Sequence, residues 1–179
     1  MTTRLTIRDL LPGEGPELGR LLVSAYSGLE GFPTPEEQPG YYAMLADIGS
    51  FASKPGARVL VARTAEGRLA GGVVYFGDMA QYGSGGTATQ ERDAAGIRLL
   101  GVDPGLRGLG VGKALTHACI DLARDQGRSQ VILHTTRAMP LAWRMYEGMG
   151  FRRREDLDFE QAGLPVFGFR LRLGTNAQD

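Results

Sequence analysis

Apolar positions recur at helical spacing along Gly15 to Tyr26, where Leu18, Leu21, Leu22 and Ala25 form a stripe. Tyr41, Met44, Leu45 and Ile48 repeat that spacing along Tyr41 to Ile48. A third helix is predicted from Leu109 to Gln126. It buries Val111, Leu115, Ala118, Cys119 and Leu122, turns Lys113, His117, Asp121, Arg124 and Asp125 outward, and stops at Gly127. A shorter helix follows from Met139 to Gly148, with Leu141, Ala142, Met145 and Tyr146 on one face. Between these lie apolar or alternating runs that predict strands: Leu5 to Arg8, Arg58 to Arg63, Leu69 to Phe76, Ile97 to Val102, Gln130 to Thr136, Phe151 to Asp158 and Val166 to Leu173. Ala65-Glu66-Gly67 reads as a hairpin turn, and Ser27 to Pro39 as a loop. Gly77 to Ala95 is the long polar stretch, either a mobile loop over a site or a disordered hairpin tip. Gly174 to Asp179 reads as a frayed tail.

The element order implies an α/β fold, a mixed sheet with helices on both faces. A length of 179 residues fits one domain over 1–179.

The central strand runs through Gly101-Val102 into Asp103-Pro104-Gly105 and then into Arg107-Gly108-Leu109-Gly110-Val111-Gly112-Lys113, which opens a helix. A glycine-rich turn at a helix N-terminus leaves amides without partners, and such a cluster binds phosphate. A phosphate-bearing cofactor is therefore expected. The spacing excludes a P-loop, because Arg107 stands at its first glycine and Ala114 where Ser or Thr would reach Mg²⁺. It also departs from the dinucleotide fingerprint, which Leu115 breaks.

What remains, R-x-x-G-x-G after a strand ending in Val-Asp-Pro, resembles the acetyl-CoA motif of the GNAT N-acyltransferase superfamily. Downstream, Leu133-His134-Thr135-Thr136 followed by Ala142-x-x-x-Tyr146-x-x-x-Gly150-Phe151 resembles the second half of that core. The resemblance spans roughly Thr3 to Leu173 and is sharpest from Ile97 to Phe151. It implies a mostly antiparallel sheet in which two parallel strands splay apart and admit the pantetheine arm of acetyl-CoA. It also implies transfer of an acetyl group to a small-molecule or peptide amine by direct attack in a ternary complex.

The residues can then be given roles. Leu100, Gly101 and Val102 would pair with the amides of the arm. Arg107, Gly108, Leu109, Gly110, Val111, Gly112 and Lys113 would hold the pyrophosphate, the glycines by close backbone approach and the two cations by charge. The Val102 amide is the candidate donor to the oxyanion, and Tyr146 holds the position of the family's general acid. Relatives often carry an acid near Gly96 and an Asn at Thr135-Thr136; this chain carries neither. Glu91, Asp93, Glu30, Glu36, Glu37, Asp47 or a water chain are open alternatives as base, each carboxylate reading first as a solvated charge. The missing acid leaves room for a non-catalytic acyl-CoA-binding sensor or scaffold. His134 reads equally as a site residue or a packing one. Arg152-Arg153-Arg154 reads as a solvated strand end that could also reach the cofactor's 3′-phosphate.

Composition narrows this further. Lys+Arg and Asp+Glu both total 20, so there is no basic field to recruit nucleic acid. The lone Cys119 excludes an internal disulfide and fits a reducing, cytoplasmic setting. No apolar run reaches membrane-spanning length. His117 and His134 have no partners at ligand spacing, so no metal is expected. A homodimer stays open.

Overall fold

The computed structural model describes residues 4–174. Strands β1 (Leu5–Asp9), β2 (Ala57–Thr64), β3 (Leu69–Phe76), β4 (Ala94–Val102), β5 (Gln130–Thr135), β6 (Arg152–Arg153), β7 (Phe159–Gln161) and β8 (Leu164–Arg172) build the sheet. Its order is β1-β2-β3-β4-β5-β8-β6, with β7 paired to β8. Neighbours are antiparallel except β4 and β5, which run parallel. This is the mixed, mostly antiparallel sheet that the sequence predicts.

Helices α1 (Gly15–Ser27) and α2 (Pro39–Ala46) cover one face, and α3 (Val111–Asp125) and α4 (Pro140–Gly148) the other. Alternation along β2 and β3 explains the two layers. Val59, Val61, Val74 and Phe76 pack under α1 and α2, while Leu60, Ala62, Val73 and Tyr75 pack under α3. Both faces are covered, so β3 is buried throughout and reads as a continuous apolar run. On α3, Val111, Leu115 and Cys119 are buried and Lys113, His117 and Asp121 exposed, as the periodicity predicts, but Ala118 and Leu122 are only half-buried and Thr116, Ile120 and Ala123 complete the buried face. Among the described residues no helix is long and apolar enough to cross a membrane.

The structure corrects the sequence reading in two places. The first is the strand expected over Phe151 to Asp158, which is cut to Arg152–Arg153. Asp158 takes both Arg153 guanidinium nitrogens at 2.9 Å and the Gly168 amide at 2.7 Å, which turns the chain inward. Leu157 is driven into the core with no exposed surface, and a short β7–β8 hairpin follows. The second is the polar stretch 77–95, which is not a bare loop. It holds two 3₁₀ turns, Met79–Gln81 and Ala88–Gln90, and its last residues already belong to β4. Met79, Tyr82 and Ala88 are buried, so three apolar side chains anchor a segment that looks polar by composition. The tail expected at 174–179 lies, from 175 on, outside the described residues.

Candidate functional site

The site begins with a fault in β4. Opposite Val73 of β3, β4 carries both Leu99 and Leu100, because the register runs Gly72↔Gly101 and Val74↔Arg98. Leu99 takes up the extra residue at φ 60°, a left-handed conformation that an apolar residue adopts only under tertiary constraint. Pairing with β5 stops at Ile97↔Leu133, while β5 continues along β8 to Thr135. Beyond Ile97 the two parallel strands therefore part.

A groove of about 350 Å³ lies in the gap. Its lining brings together Leu100, Gly101, Val102, Arg107, Gly108, Gly110, Val111, Gly112 and Lys113 from β4, the turn and α3, facing Leu141 and Met145 of α4. Leu141 is 69% exposed on that wall. Leu109 is outside the lining and 44% exposed. The Asp103 amide donates to the Ala70 carbonyl of β3 at 2.8 Å. With a two-residue period, Gly101 turns its own backbone toward β3 as well, whereas Leu100 and Val102 turn theirs toward the groove. Gly101 thus serves by lacking a side chain, since a Cβ there would strike Leu22.

The turn is held by Asp103, which accepts from the Gly105 amide at 2.8 Å and from Arg68 at 2.7 Å. Those contacts, the Gly105 amide first, keep its carboxyl below the usual range. Gly110 precedes α3 at φ 80°, and a Cβ at Gly108 or Gly110 would meet nothing within 4 Å. The backbone amides from Gly108 to Lys113 donate to no group among the described residues. Open space, unpartnered amides and the cations Arg107 and Lys113 fit a pyrophosphate. Arg152, Arg153 and Arg154 are outside this groove. Arg153 and Arg154 pair instead with Asp158 and Asp156.

A second cavity of about 110 Å³ opens on the α1–α2 side of β4. Both cavities share Tyr26, Leu100, Met139 and Ala142 in their linings, so they meet at Leu100. Tyr26 is buried and its hydroxyl donates to the Leu100 carbonyl at 2.7 Å. Tyr146 also lines the second cavity, 5% exposed. Its ring packs edge-on to Phe151, and its hydroxyl has no hydrogen-bond partner among the described residues. Burial pushes its pKa up, so the phenol keeps its proton. Of the two adjacent tyrosines, Tyr42 is the core residue, donating to Pro33 O at 2.7 Å. Tyr41 faces the cavity, its pKa raised to about 12 by burial.

Gly96 is bare because Tyr82 occupies its place. A Cβ there would fall 2.6 Å from Tyr82 Cε1 and 2.8 Å from the Met79 sulfur. The Tyr82 hydroxyl lies 2.9 Å from His134 Nδ1, and His134 Nε2 lies 2.8 Å from the Leu157 carbonyl. A carbonyl only accepts, so Nε2 carries the proton and Nδ1 accepts from Tyr82. Burial, first of all, lowers the His134 pKa. The imidazole is therefore neutral at pH 7. Glu30, Glu36, Glu37, Asp47, Glu91 and Asp93 are all outside the cavity lining, and Glu91 pairs with Arg170. Sequence reading gave no site role to Tyr82, Tyr26 or Arg98. The one available signal was the isolated aromatic Tyr82 within the polar stretch.

The Acetyltransferase (GNAT) family matches residues 19–151. A mycothiol acetyltransferase of Thermobispora bispora is 44% identical over 57 residues, 32% of this chain and 19% of that one. The match thus spans about a fifth of that relative's length. Among solved structures, a GNAT-family acetyltransferase of Staphylococcus aureus Mu50 superposes with a TM-score of 0.73 at 18% identity, covering 96% of this chain and all of the other. The PaiA N-acetyltransferase of Thermoplasma acidophilum, solved with coenzyme A, gives 0.74 at 15% identity, covering 95% and 99%. At these identities the likeness is one of fold.

Proposed function

The chain belongs to the acetyltransferase (GNAT) family, and from that premise we propose that it transfers the acetyl group of acetyl-CoA to a small amine. The observation that carries this reading is the meeting of the two cavities at Leu100, where the β4 bulge opens the strand edge. Acetyl-CoA would supply a thioester when held by the Gly108–Lys113 amides, Arg107 and Lys113 at one end and by the β4 edge at the other. The Val102 amide would pair with the arm. The Leu100 amide, at the junction itself, is the better placed to polarise the acetyl carbonyl.

The amine arrives mostly protonated and must lose a proton before it attacks. No carboxylate lines the cavity, so this falls to Tyr82 and His134. As the Tyr82 oxygen accepts the amine proton, its own proton moves to His134 Nδ1. The imidazolium so formed keeps its Nε2 bond to Leu157. Tyr146, held protonated by burial, stands ready to give its proton to the departing sulfur.

Thiol release from acetyl-CoA over a panel of amines, with calorimetric titration of the cofactor, tests the reading. Catalysis requires amine-dependent release of free thiol. Tight binding with no release for any amine would leave a binding module instead.

A further inference from the structure

The second cavity contains one permanent charge, and it is positive. Arg98 stands on β4 two residues after Gly96, and its side chain lines the cavity. Its Nη1 donates to the Tyr82 carbonyl at 2.9 Å, and the guanidinium lies 5.9 Å from the centre of the Tyr82 ring. Among the described residues no carboxylate lies within salt-bridge distance of it. Arg8, Arg58, Arg63, Arg68, Arg153, Arg154 and Arg170 each have one. Its remaining N–H groups have no partner among the described residues.

The rest of the lining supplies no counter-charge. Tyr26, Tyr41, Tyr82 and Tyr146 are held neutral by burial, and so is His134. Gln38, Gln161, Ser84, Thr135 and Thr136 are uncharged, and no Asp or Glu is present. A half-buried guanidinium among aromatic walls is costly without an anion, and its planar fork matches a carboxylate in two-point contact. The same charge repels a di- or polyamine, whose second ammonium would have to enter this cavity. Arg98 stands two residues before Leu100, across the bulge at Leu99. One compact molecule can therefore reach both points.

We propose that the acceptor is a compact amine carrying an anionic group, an amino acid with an apolar or aromatic side chain, whose carboxylate docks on Arg98 while its amine faces Leu100. This rests on the acetyl-transfer reading above.

Matched acceptors test it: phenylalanine and methionine against phenethylamine and 3-(methylthio)propylamine, with spermidine as the polycation and the aminophosphonate analogue of phenylalanine as an alternative anion. Each is assayed by thiol release with the native chain, Arg98→Gln and Arg98→Lys. Amino acids should exceed their decarboxylated partners in kcat/KM by at least tenfold. Arg98→Gln should raise KM for the amino acids by about tenfold to a hundredfold, the loss of one charge-assisted contact. It should lower the plain amines far less than the amino acids, and Arg98→Lys should recover part of the loss. Calorimetric binding of acetyl-CoA should be the same in all three proteins, which separates a lost acceptor contact from a lost fold. Preference for the aminophosphonate would keep the Arg98 anion site and change the anion. Equal or better turnover of the plain amines or spermidine, with Arg98→Gln silent, would overturn the proposal while leaving acetyl transfer intact. Cofactor binding without thiol release for any acceptor would overturn both.

Discussion

The Tyr82 ring lies across the Cα of Gly96, so one residue of the polar stretch after β3 takes the space in which a side chain of β4 would stand. The arrangement couples fold and chemistry. It removes the position for an acid on the strand, and it puts a phenol on His134 Nδ1.

Gly96→Glu is therefore expected to fail as a restored base. Even Gly96→Ala must push the Tyr82 ring and the Met79 sulfur aside, an overpacking cost of about 1–3 kcal/mol. Urea unfolding of Gly96→Ala should show that loss, with acetyl transfer falling as Tyr82 leaves His134. An alanine variant as stable and active as the native chain would show that the ring is free to move.

Gly112→Asp separates stability from binding. Gly112 has no left-handed backbone, and a Cβ there would meet its neighbours at an ordinary 3.7 Å. A carboxylate in the first turn of α3 favours the helix by about 0.3–1 kcal/mol but repels a pyrophosphate. The thermal midpoint should hold or rise while calorimetric affinity for acetyl-CoA falls at least tenfold. Unchanged affinity would move the phosphates elsewhere.

Tyr146→Phe removes a hydroxyl that has no hydrogen-bond partner among the described residues, so stability should change little. If the phenol protonates the departing thiolate, turnover should fall by roughly ten- to a thousandfold, about 1.4–4 kcal/mol, with cofactor binding kept. Full activity would leave Tyr146 a packing residue.

His134 and Glu14 give the chain two separate pH windows. The His134 pKa is lowered from 6.5, chiefly by burial. The unfolded chain therefore binds this proton more readily than the folded one. Its contribution to stability is complete above 6.5 and is lost as pH falls through the lower folded value. Turnover should fall across the same window, because the protonated imidazole cannot accept from Tyr82. His134→Asn should flatten both dependences near neutrality, and a native-like slope in that variant would exclude His134. The Glu14 carboxyl is held at about 2 by Arg8, then by the Leu11 amide and Arg63. Its contribution is present above its usual 4.5 and is lost as pH falls toward 2. Acid unfolding of Glu14→Gln should lose that part alone.

Much of the molecule is local in origin, and that much the sequence determines by itself. The stripes of α1 and α3, the apolar run of β3, and the strand, Asp-Pro-Gly turn and R-x-x-G-x-G segment follow from period and turn chemistry. The half of the site that binds backbone to phosphate is legible because one continuous stretch, Leu100 to Lys113, makes it.

The acceptor half is not continuous, and only the tertiary structure decides it. Arg98, Tyr82, His134, Tyr26 and Tyr146 come from five separate segments. No spacing rule links Tyr82 to Gly96 or to His134, 52 residues away in sequence. The bulge at Leu99, the inward pull of Asp158 and the burial of Tyr82 each trade a local preference for packing and hydrogen bonds supplied by distant residues. Composition marked the stretch 77–95 as polar, but the buried Met79, Tyr82 and Ala88 fix its path. Local propensities amount to tenths of a kcal/mol per residue, whereas burying a large side chain is worth about 1.5–3 kcal/mol, so the core prevails where the two disagree.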